Sequence, residues 1–144
     1  MTGFYPVSMK RCIVKLDKKK ADNKIKRWNE ISLSAAKQSK RSIIPKVELP
    51  MSFTEALKEA GKLDKLILPY ECADGMAHTK DVVKSIKPGD TVGIFIGPEG
   101  GFDRDELDRA IEAGCEIVTL GKRILRTETA GLMLMSVLMY NFEE

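Results

Sequence analysis

Histidine is nearly missing from this chain of 144 residues, with His78 the single one. One imidazole cannot furnish most metal sites, and it disfavours any triad that needs a separate base and ligand set. Cysteine is scarce too. Cys12, Cys72 and Cys115 stand far apart with no CxxC pair, which excludes a disulfide scaffold and a zinc domain. An odd number in a chain that opens on no leader points to reduced thiols in a cytoplasm. Long apolar runs are absent. The longest, Leu132 to Tyr140, is about half a membrane span and is broken by Ser136, so no membrane segment is expected. Charge of one sign is not in large excess either. The 24 basic and 21 acidic residues leave +3, a weak footprint for nucleic acid, although its distribution can say more than its sum.

What remains is an ordinary globular composition, 43% hydrophobic and 31% charged, at a length that suits one domain. Phe4-Tyr5-Pro6-Val7 opens the chain as a short apolar piece, and Arg11 to Leu16 reads as extended. Asp17 to Lys20 reads as a charged loop. From Asp22 to about Lys40 the period becomes helical, with Ile25, Trp28, Ala35 and Ala36 on one face. Ser52-Phe53-Thr54-Glu55 has the spacing of a capping box, which predicts a short helix to Gly61. Lys65 to Leu68 reads as a buried strand, Asp81 to Ile86 as a small helix, and Lys87-Pro88-Gly89-Asp90 as a turn. Thr91 to Ile96 is the clearest core strand. A helix capped by Asp103 and stopped by Gly114 follows, then a strand at Glu116 to Leu120 and an apolar helix from about Glu128 to Phe142. The alternation from Ser52 onward predicts an α/β fold with a mainly parallel sheet and helices on both faces. His78 has no evident partner, and a loop position is the default.

Two strand-to-helix loops carry the chemistry. The first is Ile96-Gly97-Pro98-Glu99-Gly100-Gly101-Phe102. Its glycines let backbone approach a ligand closely or adopt positive φ, although a tight turn explains them equally well. It is neither Gly-Lys-Ser/Thr nor GxGxxG, and Glu99 would repel phosphate, so a triphosphate or pyrophosphate cradle is disfavoured. The second is Leu120-Gly121-Lys122-Arg123-Ile124-Leu125-Arg126-Thr127-Glu128-Thr129-Ala130. Taken alone it is a solvated basic loop with Thr127 as a helix cap. Side by side at the carboxyl edge of one sheet, the two loops would make one pocket.

The two loops together resemble the signature of the bacterial 16S ribosomal RNA uridine-N3 methyltransferases, a family of the SPOUT superfamily. Arg27-Trp28, Ala35-Ala36-Lys37-Gln38-Ser39-Lys40-Arg41 and Ile44-Pro45 are similar to the same family, and the resemblance covers nearly the whole chain. It implies that residues 1–144 form a SPOUT methyltransferase domain with a C-terminal trefoil knot. Family members place a PUA-like RNA-binding domain and a first strand and helix ahead of this region. The chain is expected to start after both.

The resemblance further implies S-adenosyl-L-methionine as cofactor, held by three loops: Leu68, Pro69 and Tyr70, followed by Glu71; Ile96, Gly97, Pro98, Glu99, Gly100 and Gly101; and Leu120, Gly121, Arg123, Ile124 and Leu125. Ile96, Leu120, Ile124 and Leu125 would sandwich adenine while main-chain groups bond its polar edge. The methyl group would pass to N3 of a uridine in 16S rRNA of the small ribosomal subunit. Arg126 is the candidate for stabilising charge on the substrate, and Glu128 a candidate base whose other explanation is the dipole of the last helix. Gln38, Lys40, Arg41 and Arg126 are candidate RNA contacts; cations at a helix end account for the first cluster equally. The apolar last helix suggests a homodimer. No metal is needed. The competing readings are a non-catalytic RNA- or nucleotide-binding module that keeps the pocket, and an α/β enzyme for a phosphorylated metabolite.

Overall fold

The structure, a computed structural model, describes residues 1–12, 18–71 and 75–142. The extended piece expected at Arg11 to Leu16 lies mostly outside them, as do Asp17 and Cys72. In chain order the elements are β1 (Gly3–Phe4), β2 (Val7–Ser8), α1 (Lys18–Gln38), β3 (Lys46–Val47), β4 (Met51–Ser52), α2 (Phe53–Ala60), β5 (Lys65–Pro69), α3 (Met76–Ser85), β6 (Val92–Ile94), α4 (Arg104–Glu112), β7 (Cys115–Val118) and α5 (Thr127–Phe142). Among the described residues every strand pair is parallel. The chain divides into two compact units, Met1–Ala56 and Leu57–Glu144, with the division inside α2.

In the first unit, β1 pairs with β3 and β2 with β4. Helix α1 begins earlier than its apolar period suggests, because Lys18 to Lys20, expected as loop, join it; lysine is a good helix former. Its buried side is small and polar-tolerant: Ala21, Ser32 and Ala36. Asn29 ties the helix to β3, donating to the Val47 carbonyl at 3.0 Å and accepting from its N–H at 2.9 Å. The helix closes with a Schellman motif. Arg41 N–H donates to Ala36 C=O at 2.9 Å and Lys40 N–H to Lys37 C=O at 3.2 Å, which places Lys40 in the left-handed region at φ 55.

The capping box at Ser52 forms as its spacing requires. Glu55 Oε2 accepts from Ser52 N–H at 2.8 Å, and Ser52 Oγ accepts from Glu55 N–H at 3.3 Å. Donation to the Glu55 carboxylate from Ser52 N–H, and from Ser52 Oγ at 2.7 Å, holds the carboxyl below its ordinary pKa.

The second unit is built on a three-stranded sheet of order β6-β5-β7. Ile67 and Leu68 on the middle strand are completely buried, on opposite faces of the sheet. Burying such a side chain contributes about 1.5–3 kcal/mol each. Ile67 shares a core with Val82, Val83 and Ile86, with Val118, and with Leu134 and Leu138 of α5. Leu66 and Leu68 are buried on the other face, so both faces are covered, and α4 packs against β7. The expectation for Thr91 to Ile96 needs correcting. Regular pairing stops at Ile94, and Val92–Ile94 are only half-buried, because β6 is an edge strand with a single neighbour. The buried centre is β5.

Helix α3 starts earlier than expected and carries His78, which is therefore helical and not in a loop. Its Nε2 lies 3.7 Å from Glu116 Oε2 on β7, both partners being well exposed. The turn after α3 closes with Asp90 N–H donating to Lys87 C=O at 3.0 Å and Gly89 at φ 96, as Pro-Gly at its centre requires. Asp103 caps α4 within a complete capping box, and Gly114 at φ 88 ends it. Among the described residues, no helix is long and apolar enough to cross a membrane.

Candidate functional site

Because β5, β6 and β7 run parallel, their carboxyl ends open on one edge, and the segments after Pro69, Ile94 and Val118 meet there. They enclose a pocket of about 640 Å³ inside the second unit. A ligand crevice at this edge is where open α/β sheets bind small molecules. Its wall contains Pro69, Tyr70 and Glu71 from the first segment. Ile96, Gly97, Pro98, Glu99, Gly100 and Gly101 come from the second, and Leu120, Gly121, Arg123, Ile124, Leu125 and Arg126 from the third. Glu128 adds a carboxylate from the first turn of α5.

One residue of the expected set stands elsewhere. Leu68 does not line the pocket, because its position on β5 turns its side chain wholly into the sheet core. The wall starts one residue later, at Pro69. Ile124 does line it, but at 81% exposure it sits on the rim and is not enclosed.

The glycines serve different ends. Gly101 at φ 68 and Gly121 at φ 121 occupy backbone that side chains rarely adopt. Gly97 has an unexpected reason. A Cβ there would lie 2.9 Å from the Phe102 ring, so the residue is small to let that buried ring close under the loop.

Threonine hydroxyls, missed in the sequence, fasten the loops. Thr79 Oγ1, buried on α3, donates to Thr119 C=O at 2.9 Å and accepts from Thr119 N–H at 3.1 Å. Thr119 Oγ1 in turn accepts from Gly121 N–H at 3.2 Å. Thr127 Oγ1 donates to Gly97 C=O at 3.1 Å, joining the second loop to the third. Thr127 is thus not the cap of α5. It is the first residue of α5, whose own hydrogen bonds start at the Arg126 carbonyl, which accepts from Thr129 and Ala130 N–H at 2.9 Å each. Thr119, Phe102, Thr127 and Ala130 complete the wall. Phe102, Thr127 and Ala130 stand inside the two loops read in the sequence, while the only sequence signal of Thr119 is its place just before the second.

Gln38, Lys40 and Arg41 belong to the first unit, all exposed, at and just beyond the end of α1. Arg41 Nη2 donates to Met1 C=O at 3.4 Å. That unit has its own hollow of about 570 Å³, walled largely by apolar groups such as Phe4, Tyr5, Trp28 and Ile31 and without a glycine loop. Among the described residues, no group of three or more His, Cys, Asp or Glu side chains could hold a metal ion. Burial pushes the Cys115 thiol up to about 11, which keeps it protonated at neutral pH.

Fold and pocket define an α/β protein with a pocket at the carboxyl edge of a parallel sheet. Residues 1–139 match the family described as RNA methyltransferase domain, and the chain belongs to that family. It is 38% identical over 144 residues to ribosomal RNA small subunit methyltransferase E of Bacillus subtilis, covering 98% of this chain and 56% of the relative. Its likeness to the protein of the same name from Mesomycoplasma hyopneumoniae is 40% over 115 residues, 80% of this chain and 48% of that one. The chain thus spans about half the length of these curated relatives. Among solved structures, ribosomal RNA small subunit methyltransferase E from Neisseria gonorrhoeae bound to S-adenosyl methionine superposes with a TM-score of 0.79 at 37% identity, over 96% of this chain and 54% of that one. A Legionella pneumophila structure holding the bound cofactor SAM gives 0.85 at 35% identity, over 96% and 55%.

Proposed function

We propose that the chain is a S-adenosyl-L-methionine-dependent methyltransferase domain that modifies N3 of a uridine in 16S rRNA. The single observation that carries this is the pocket at the sheet edge, formed from the two loops that resemble the family's signature. The donor set fits the cofactor. Glycine-bearing backbone and the apolar Ile96, Leu120 and Leu125 suit an adenosine, while Glu71 and Glu99 are compatible with a cationic ligand that carries no phosphate. Solved neighbours with that cofactor bound support the assignment. The knot that the resemblance implies belongs to the same proposal.

When bound, the cofactor supplies an electrophilic methyl group on a sulfonium. The chain's residues prepare the acceptor. Uridine N3 carries a proton at neutral pH, so attack requires that proton to leave and the resulting negative charge on the base to be stabilised. Arg126 reaches the pocket wall beside Glu128, where its cation stabilises that charge. Glu128 accepts the proton, and its place in the first turn of α5 also favours the charged carboxylate. Uridine N3 would give its proton to Glu128 and take the methyl group in its place, the electron pair of the old sulfur–methyl bond staying with sulfur.

The partner is rRNA of the small ribosomal subunit, contacted through Gln38, Lys40, Arg41 and Arg126. A cytoplasmic location fits a ribosomal RNA substrate. The working form is a homodimer through α5. That helix buries Leu134 and Leu138 but leaves Leu132 71% and Tyr140 91% exposed, with Met133, Val137 and Met139 exposed between them. Apolar surface of this kind marks an interface.

The test is transfer itself: the chain, labelled S-adenosyl-L-methionine and unmodified 16S rRNA, with nucleoside mass spectrometry. Appearance of 3-methyluridine supports the proposal. Label at another base, or none under conditions where the cofactor binds, rejects it.

A further inference from the structure

The +3 of the whole chain conceals a strong local concentration. Helix α1 carries seven cations, Lys18, Lys19, Lys20, Lys24, Lys26, Arg27 and Lys37, against the two carboxylates Asp22 and Glu30, a net +5. Six of the seven stand in its first ten residues. The rest of the molecule is therefore net acidic.

These charges do not serve the helix. Its first turn has no acidic residue, although the positive end of the helix dipole favours anions there. Lys20 and Lys24 are four apart, and Lys24 and Arg27 three apart, spacings at which like charges repel. Nor are the four central ones absorbed by ion pairs. Among the described residues, Lys19, Lys24, Lys26 and Arg27 are exposed and lie in no ion pair, even though Asp22 is four residues before Lys26. The buried residues Ala21, Ser32 and Ala36 occupy the opposite side. A folded helix thus holds a broad unneutralised cationic face at an electrostatic cost.

We propose that this face, centred on Lys19, Lys24, Lys26 and Arg27, is a contact surface for the phosphate backbone of the RNA substrate. The proposal rests on the RNA-modifying function above and adds a second point of contact to it. Lysines spread over two helical turns suit a run of phosphates, which positions a substrate without reading its sequence. Each neutralised phosphate steepens the salt dependence of binding.

The experiment uses the full chain carrying Lys19→Gln, Lys24→Gln, Lys26→Gln and Arg27→Gln, with a labelled 16S rRNA fragment followed by anisotropy across salt concentrations. Glutamine keeps helix propensity, and circular dichroism checks the fold. Affinity should fall at least tenfold at low salt, and the slope of log K against log salt should lose roughly 3 units, at about 0.7–0.9 per phosphate contact. The charge-conserving pair Lys24→Arg and Lys26→Arg should bind as the parent does. An unchanged slope in the glutamine variant overturns the proposal. So does equal loss in the arginine pair, or a parent that binds vesicles containing phosphatidylglycerol more tightly than RNA. Titrating S-adenosyl-L-methionine into the same proteins separates the two claims. Failure of cofactor binding with the RNA response intact removes the methyltransferase reading and leaves the surface standing.

Discussion

Thr127 Oγ1 donates to the carbonyl oxygen of Gly97 at 3.1 Å, across 30 residues of chain. This bond sets the spacing between the two loops that form most of the pocket. Thr127→Val keeps the shape and deletes the donor. A net hydrogen bond is worth about 1 kcal/mol, so cofactor affinity should fall roughly fivefold. Thr127→Ser should restore it, measured by calorimetry.

Gly121 stands at φ 121, where a branched side chain is strongly disfavoured. Gly121→Val should abolish cofactor binding while the far-ultraviolet circular dichroism stays that of the parent. Retained affinity in the folded variant would show that the third loop does not shape the site.

Arg126→Ala should leave cofactor affinity within about twofold but slow methyl transfer by roughly 100-fold or more, the scale of losing one group that stabilises developing charge. The comparison of binding titration with single-turnover rate decides it. Lost affinity with normal turnover would move Arg126 to the cofactor side.

Lys40 pays a conformational cost at φ 55 that glycine would not. Lys40→Gly should therefore raise stability by about 1 kcal/mol in urea unfolding. The same change should weaken RNA binding if Lys40 contacts phosphate. Greater stability with unaltered RNA affinity would confine Lys40 to the helix end.

Exposed Leu132 and Tyr140 on α5 make self-association measurable. Light scattering at micromolar concentration should give twice the chain mass, and Leu132→Lys should return it to the monomer. A monomeric parent rejects the dimer.

The elements that were legible beforehand are those with local chemistry. Ser52 with Glu55 and Asp103 with Glu106 announce their helices because both partners of each capping box lie within one turn. Gly97 and Gly121 marked the pocket because both stand just after strand patterns. What escaped depended on distance in the chain. Leu68 was read both as the end of a buried strand and, through the resemblance, as part of the first cofactor loop, and its complete burial on β5 decides for the strand; Thr79 could not be linked to Thr119 from 40 residues away. Val92 to Ile94 have the composition of a core strand, but position at a sheet edge is set by topology and not by the strand's own residues. The basic face of α1 was not read from the sequence, because only helix geometry and, among the described residues, the absence of ion pairs at Lys24, Lys26 and Arg27 give it meaning.

The most direct measurement is a calorimetric titration of the chain with S-adenosyl-L-methionine, in EDTA and again in magnesium, with ATP as the comparison ligand. The expected result is saturable binding of the methyl donor at one site per chain, equal in both buffers, and no binding of ATP. Binding of ATP alone, or of the methyl donor only when magnesium is present, would contradict the assignment of the pocket formed by Gly97, Gly121 and their neighbours.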